Sequence, residues 1–383
     1  MKTLLSHARV VLPNEILEDA SVLLEDDCIL AVCPENLRVD CEINLKHQYL
    51  MPGLVDLHCD ALEKEVEPRP NVHFPLDFAC AQADKRNAAA GVTTVYHALS
   101  FAKEELGVRN NEVAAELARA VHQWQPHGLV DNRVHCRYEI TDATALPILL
   151  QLLVEQSMHI VSMMDHTPGQ GQFKNLNAYR EFITRTYEKT DAEVDALVEQ
   201  KMADAAGAYQ RMQNLAQAAH EHGIAVASHD DDSPQRVATM SSLGADISEF
   251  PITLDAARAA KQAGMATIFG APNVLRGKSQ SGSMKAVDAI IHGVADCLCA
   301  DYAPATLIVA VFKISQHSEL TLPQALQLAS SNPARAAKLS DRGEIAAGKR
   351  ADLITIAEPG GLPQVTDTWV AGQRVYSVAY DRA

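Results

Sequence analysis

The triplet His58-Cys59-Asp60 closes the apolar run GLVDL. Residues two apart on a strand point the same way, so an imidazole and a carboxylate placed there can converge on one metal ion. The pair alone is weak evidence, because a histidine hydrogen-bonded in a loop leaves the same letters. In His135-Cys136-Arg137-Tyr138-Glu139 the same alternation puts an imidazole, a guanidinium and a carboxylate on one strand face. Such a trio is costly to bury unless its members pair with each other, with a metal or with a ligand. Three more apolar runs stop at polar groups: SMMDH at Asp165 and His166, AVASHDDD at His229 and Asp230, and CLCADY at Asp301. Each one by itself is ordinary strand-end capping; together they ask for a common explanation.

Metal-assisted hydrolysis supplies one. Two divalent cations held by His58, Asp60, His166, His229 and Asp301, with Glu139 as the bridging carboxylate, would acidify a shared water at neutral pH. A carboxylate less committed to metal must take that proton and pass it to the leaving group, and Asp301 is the candidate. Nitrogen and oxygen ligands without thiolate suit Zn, Mn, Fe or Ni and do not choose among them. Arg69, Arg137, Arg276 and Lys278 bring positive charge toward the same places, and guanidinium forks match phosphate oxygens. Asp230 is grouped with them as a substrate contact, and the glycines of GAPNVLRGKSQSG let backbone N–H groups approach an anion.

These residues need strands to position them. After Pro52 and Gly53 the chain alternates apolar strand-like runs with Ala-rich helical stretches as far as about residue 338, which means parallel strands. The strand candidates are 54–58, 92–97, 134–140, 160–164, 225–228, 247–250, 267–269 and 296–300, the number that closes a (β/α)8 TIM barrel. His58, Asp60, Glu139, His166, His229 and Asp301 then fall at C-terminal strand ends, where such barrels do chemistry. Residues 1–50 and 341–383 read instead as short β runs separated by turns, and are expected to join in one small β-sandwich domain. The expected class is therefore α/β, with a barrel over 51–340. An insertion at 168–210, polar and helix-rich, is too long for a barrel loop and reads equally as a lid or as a contact surface.

The chain has 383 residues and a formal charge of −16, so polyanionic partners such as nucleic acid or an anionic membrane surface are repelled. A phosphorylated small molecule is not excluded, because a local cluster of cations inside a pocket suffices for it. No apolar run reaches bilayer length, and Ser6, His7 and Arg9 interrupt the N-terminal one, so a cytoplasmic enzyme is expected. The eight cysteines show no CxxC pair and no disulfide-scaffold spacing; Cys297 and Cys299, in an apolar run, are expected to be buried packing. A homo-oligomer is compatible with all of this.

At this point the chain resembles the amidohydrolase superfamily, and the phrase NPARAAKLSDRGEIAAGKRADLITI resembles that superfamily's C-terminal signature. The segments PRP from Pro68, MDHTPGQGQF from Met164, SHDD from Ser228, GAPNVLRGKSQSG from Gly270 and ADYAPA from Ala300 resemble a phosphonate-handling branch of it. That branch releases pyrophosphate from the 5-triphosphate of a ribose 1-methylphosphonate. The resemblance implies a barrel, strand-end metal ligands and a β domain built by both termini. The superfamily's usual first motif is HxH, whereas this chain has HxD, which makes the implied first site richer in oxygen. The alternative is a deaminase or cyclic-amide hydrolase acting at carbon. Arg276 and Lys278 discriminate: lining the pocket they favour phosphate, and pointing to solvent they favour a neutral substrate.

Overall fold

The computed structural model describes residues 1–35, 38–103, 109–167, 180, 184, 190–279 and 283–380. At the N-terminal end β1 (Lys2–Val11), β2 (Ile16–Glu25), β3 (Cys28–Val32), β4 (Cys41–Asn44) and β5 (Tyr49–Pro52) follow one another. The barrel strands are β6 (Leu54–Cys59), β7 (Val92–Phe101), β8 (Asp131–Glu139), β9 (Ile160–Met164), β10 (Ala225–His229), β11 (Ile247–Glu249), β12 (Ala266–Gly270) and β13 (Cys297–Cys299). The chain ends with β14 (Leu353–Ala357), β15 (Gln364–Val370) and β16 (Gln373–Ser377).

β6 to β13 pair in parallel in chain order. A parallel bridge between Cys59 and Asp301 brings the last strand back to the first, with Asp60 N–H donating to the Asp301 carbonyl and Asp301 N–H donating to the His58 carbonyl. The ring is thus fastened by the residues expected to do the chemistry. Strand alternation sorts the side chains: Val134, Cys136 and Tyr138 pack outward against the helices, while Val55, Leu57, Tyr96, Ile160, Ala225, Ala227, Ile247 and Ile268 fill the barrel interior with Cys297 and Cys299. Burial pushes both of these thiols up, which fits packing rather than ligation.

The expected terminal β domain is present as one mixed sheet in the order β16-β15-β14-β5-β1-β2-β3, with β4 beside β1. Its apolar face gathers Leu5, Val22, Leu24, Leu50, Leu353 and Trp369, drawn from both chain ends. Gly53 joins the two sheets. A Cβ there would fall 2.2 Å from Thr93 Oγ1, so only glycine lets β6 start so close to β7. Of the expected insertion, most of 168–189 lies outside the described residues, as does 168–173 of the MDHTPGQGQF segment. Beyond it, Thr190 caps the helix Asp191–Asp204 through a capping box with Glu193. Among the described residues no helix is long and apolar enough to cross a membrane.

Candidate active site

Inner-face positions at the C-terminal strand ends are where the barrel's apolar filling gives way to polar groups. The interior rows of β8, β10 and β11 continue into Arg137 and Glu139, His229, and Glu249. The loops beyond are pinned by short helices. Ser233 caps Pro234–Ser242, with proline in its first turn, and Thr253 caps Leu254–Gln262. Asp230, Phe250 and Asp301 have φ of 55°, 50° and 56°, so after β10, β11 and β13 the backbone takes the left-handed conformation that few side chains adopt freely. Such outliers cluster where a fold fixes functional groups.

His58 and Asp60 both line the mouth, though not by simple alternation. β6 carries a register shift between Asp56 and Cys59, and buried Asp56 accepts from the backbone N–H groups of His58 and Ala300. His58 Nδ1 lies 3.1 Å from Glu249 Oε1. A carboxylate only accepts, so the imidazole donates from Nδ1 and keeps the lone pair on Nε2. His135 donates from Nδ1 to the Leu57 carbonyl at 2.9 Å, which leaves its Nε2 lone pair 3.6 Å from Glu249 Oε2. Two electron-rich atoms held together in a dry core call for a cation between them. Burial lowers both imidazoles, His135 to about 4 and His58 well below its ordinary value, which keeps them neutral as metal ligation requires.

At the end of β8 Glu139 Oε2 is 3.0 Å from His166 Nδ1, and its other oxygen accepts from Thr141 Oγ1 at 2.9 Å. Burial would raise this carboxyl, but His166 outweighs burial and brings it down to about 2. His229 Nδ1 stands 3.4 Å from Asp230 Oδ2, and against burial this neighbour holds Asp230 below its usual value. Asp301 behaves oppositely. Burial and the facing Asp60 push it up to about 7, with Arg137 opposing.

Four atoms test the fit of this cluster to divalent metal. His135 Nε2 and Glu249 Oε2 are buried without a hydrogen-bond partner, and His229 Nδ1 and Glu139 Oε2 are buried with only the ion-pair contacts to Asp230 and His166 already described. Buried polar atoms so poorly paired are uncommon in protein interiors, and these four belong to the same group of imidazoles and carboxylates. His58, His135 and Glu249 offer ligand atoms within 4.8 Å of one another. The donor set is imidazole and carboxylate, which suits Zn, Mn, Fe or Ni, so the residues fit such ions.

A cavity of about 320 Å³ opens above, in the size range of small-molecule sites. His58, Asp60, His166, His229, Asp230 and Asp301 line it, as do Arg137, Arg276 and Lys278. Arg137 is buried with Nε and Nη2 unpaired, a guanidinium held ready for an anion. Arg276 and Lys278 stand on the solvent side, at the end of the helix Ala271–Arg276, where Gly277 turns the chain at φ 71°. Part of the GAPNVLRGKSQSG segment, 280–282, lies outside the described residues. Arg69 does not join the cluster. It is exposed in a turn closed by its bridge to Val72 and is not among the residues that line the cavity. Glu139 lies beneath the lining, under His166.

Three residues went unassigned in the sequence reading. Glu249 was signalled only by an acid inside the apolar run ISEF, and His135 by its place two residues before Arg137. Arg109 carried no pattern. It lines the cavity and places Nε 2.7 Å from Glu63 Oε2 and Nη2 3.5 Å from Asp60 Oδ2.

Comparison with known proteins agrees with this architecture. The model of the Amidohydrolase family matches residues 49–375. The chain belongs to the amidohydrolase family. This amidohydrolase is 35% identical, over 97% of its own length and 100% of the relative's, to the alpha-D-ribose 1-methylphosphonate 5-triphosphate diphosphatase of Escherichia coli K12. A shorter match, 44% over 59 residues, covers 15% of it and 14% of a dihydroorotase from Pediococcus pentosaceus. Among solved structures, the N-acetyl-D-glucosamine-6-phosphate deacetylase of Mycobacterium smegmatis aligns with a TM-score of 0.65 at 18% identity, covering 98% of this amidohydrolase and 100% of that chain. The dihydropyrimidinase of Brevibacillus agri aligns with a TM-score of 0.64 at 13% identity, covering 98% and 95%. These last two share the fold.

Proposed function

We propose that this amidohydrolase is a metal-dependent diphosphatase that cleaves α-D-ribose 1-methylphosphonate 5-triphosphate to the 5-phosphate and pyrophosphate. The observation that carries the reading is the basic lining of the mouth. In a chain of charge −16, Arg137, Arg276 and Lys278 face one cavity, beside Arg109, which is paired with Glu63. Repulsion from the whole surface would disfavour a polyanion, so cations concentrated at one place point to a polyanionic substrate. The relative of matching length is a diphosphatase for such a substrate.

His58, Asp60, Glu139, His166, His229 and Asp301, with His135 and Glu249 beneath them, would hold the divalent cations, two per chain. When bound, these ions neutralise phosphoryl oxygens and acidify a water. Asp301 takes the proton of the attacking water on its carboxylate, which its raised pKa of about 7 suits to giving the proton up again to the departing pyrophosphate. The water oxygen bonds to phosphorus and one anhydride P–O bond breaks. Arg137 holds the reacting phosphoryl group at the buried end, and Arg276 and Lys278 balance the leaving charge at the open end. Glu249 fixes the tautomer of His58. Residues 1–50 and 341–383 are assigned to the β domain and 51–340 to the barrel.

The test is a substrate panel: the ribose methylphosphonate triphosphate, N-acetylglucosamine 6-phosphate and dihydroorotate, each followed for pyrophosphate, acetate or ring opening. Pyrophosphate from the first compound alone is expected. Turnover of either carbon-centred substrate without pyrophosphate release overturns the reading.

A further inference from the structure

On the terminal sheet, outside the barrel, β1 and β2 pair through two opposed irregularities. Between Leu5 and Ala8 the extra residue lies in β1, and between Ala8 and Val10 it lies in β2. The first carries His7 at φ 52° and the second Asp19 at φ 48°. Bulges of this kind normally place glycine at the left-handed position, and they serve to re-aim a side chain. Here both positions hold side chains with ligand atoms, and the bulges bring His7 Nδ1 to 2.7 Å from Asp19 Oδ1. A third element joins them. After β4 the chain turns through Lys46 and His47, at φ 51° and 60°, and the His47 N–H donates to the His7 carbonyl, which sets His47 Nδ1 3.6 Å from the same Asp19 oxygen.

We propose that His7, Asp19 and His47 form a second divalent-cation site, for a first-row ion that favours imidazole, such as Zn2+, Ni2+ or Cu2+. Three independent backbone outliers converge on one point, and each presents a ligand atom there. All three ligand atoms lie within 4.8 Å of one another. Ligands about 2.1 Å from a tetrahedral ion stand roughly 3.4 Å apart, so the trio accepts the ion with shifts under an ångström in exposed side chains. Two imidazoles and one carboxylate leave further positions to water, as expected of a solvent-facing site. The bound ion would tie the β1 bulge, the β2 bulge and the turn after β4 to one another, and so lock the outer half of the sheet.

The experiment is equilibrium dialysis of the full chain against micromolar Zn2+, with metal counted per chain for the wild type and for His7→Gln, Asp19→Asn and His47→Gln. The wild type is expected to hold one equivalent more than each variant, with its midpoint shifted at least tenfold higher in concentration by any single substitution. The side chains are exposed, so folding is not at stake, and circular dichroism of each variant checks this. Equal metal counts in the wild type and all three correctly folded variants would overturn the proposal.

Discussion

At the residue scale the most informative side chain is Glu249, because it touches two imidazoles at once. Glu249→Gln keeps the shape and removes the charge, so His58 faces a weaker, neutral acceptor and His135 Nε2 loses the carboxylate beside it. Metal affinity and turnover are both expected to fall about 10- to 100-fold, checked by metal titration and initial rates; an unchanged metal midpoint would show that the contact does nothing for ligation. Arg276→Ala is expected to act differently. It stands at the open end of the cavity against the leaving group, so it should lower kcat/KM for a triphosphate about tenfold, as expected from losing one charge-assisted contact of ~1.5 kcal/mol, and leave metal affinity unchanged. Most of this site was legible, since His58, Asp60, His166, His229 and Asp301 each end an apolar run. Glu249 was hidden because its strand has only three residues, too few to display alternation. Arg109 was hidden because its partner Glu63 lies 46 residues away and nothing local announces the pair. The acidic stretch beyond His58 is compensated from a distance in the same way: Glu63 and Glu65 pair with Arg109 and Arg86.

At the scale of elements, the eight barrel strands were legible because each is an apolar run bounded by turn residues, and their ends in the structure fall within a few residues of those expected. What alternation could not foresee is the register shift in β6, which turns His58 toward Glu249 although its neighbour Leu57 also packs inward. The switch from terminal sheet to barrel at Gly53 was marked by a change in texture, yet its strictness comes from Thr93, 40 residues on. Gly53→Ala forces a methyl into Thr93 and is expected to cost about 1–3 kcal/mol as an overpacked site, lowering Tm by several degrees in a thermal melt. Gly53→Ala combined with Thr93→Ser, which removes a methyl, should recover part of that loss. A melt of Gly53→Ala that matches the wild type would mean that the two sheets are joined less tightly than described.

At the scale of the whole molecule, one buried guanidinium bonds the C-terminal segment to the bottom of the barrel. Arg342 reaches Thr94 and Asp131 on β7 and β8, grips Asp341, and lies 3.9 Å from Asp352 ahead of β14. Burial would raise Asp131, but Arg133 and Arg342 outweigh it and hold its pKa below the usual range. A carboxyl depressed in the folded state contributes stability that is complete above about pH 4 and is lost as pH falls through the depressed folded value. Arg342→Gln strands buried carboxylates and is expected to cost about 3 kcal/mol at pH 7 in a denaturant titration. The gap between wild type and variant should narrow below about pH 4; a gap that stays constant into acid would remove Asp131 from the account. The central claim is that a cluster of imidazoles and carboxylates under a basic rim splits a phosphoanhydride. It is tested most directly by phosphorus NMR of the metal-reconstituted protein with ribose 1-methylphosphonate 5-triphosphate, beside Asp301→Asn and a chelated control. Pyrophosphate and the 5-phosphate are expected in equal amounts from the wild type alone; an unchanged triphosphate spectrum from metal-loaded wild type would contradict a phosphoanhydride-splitting role.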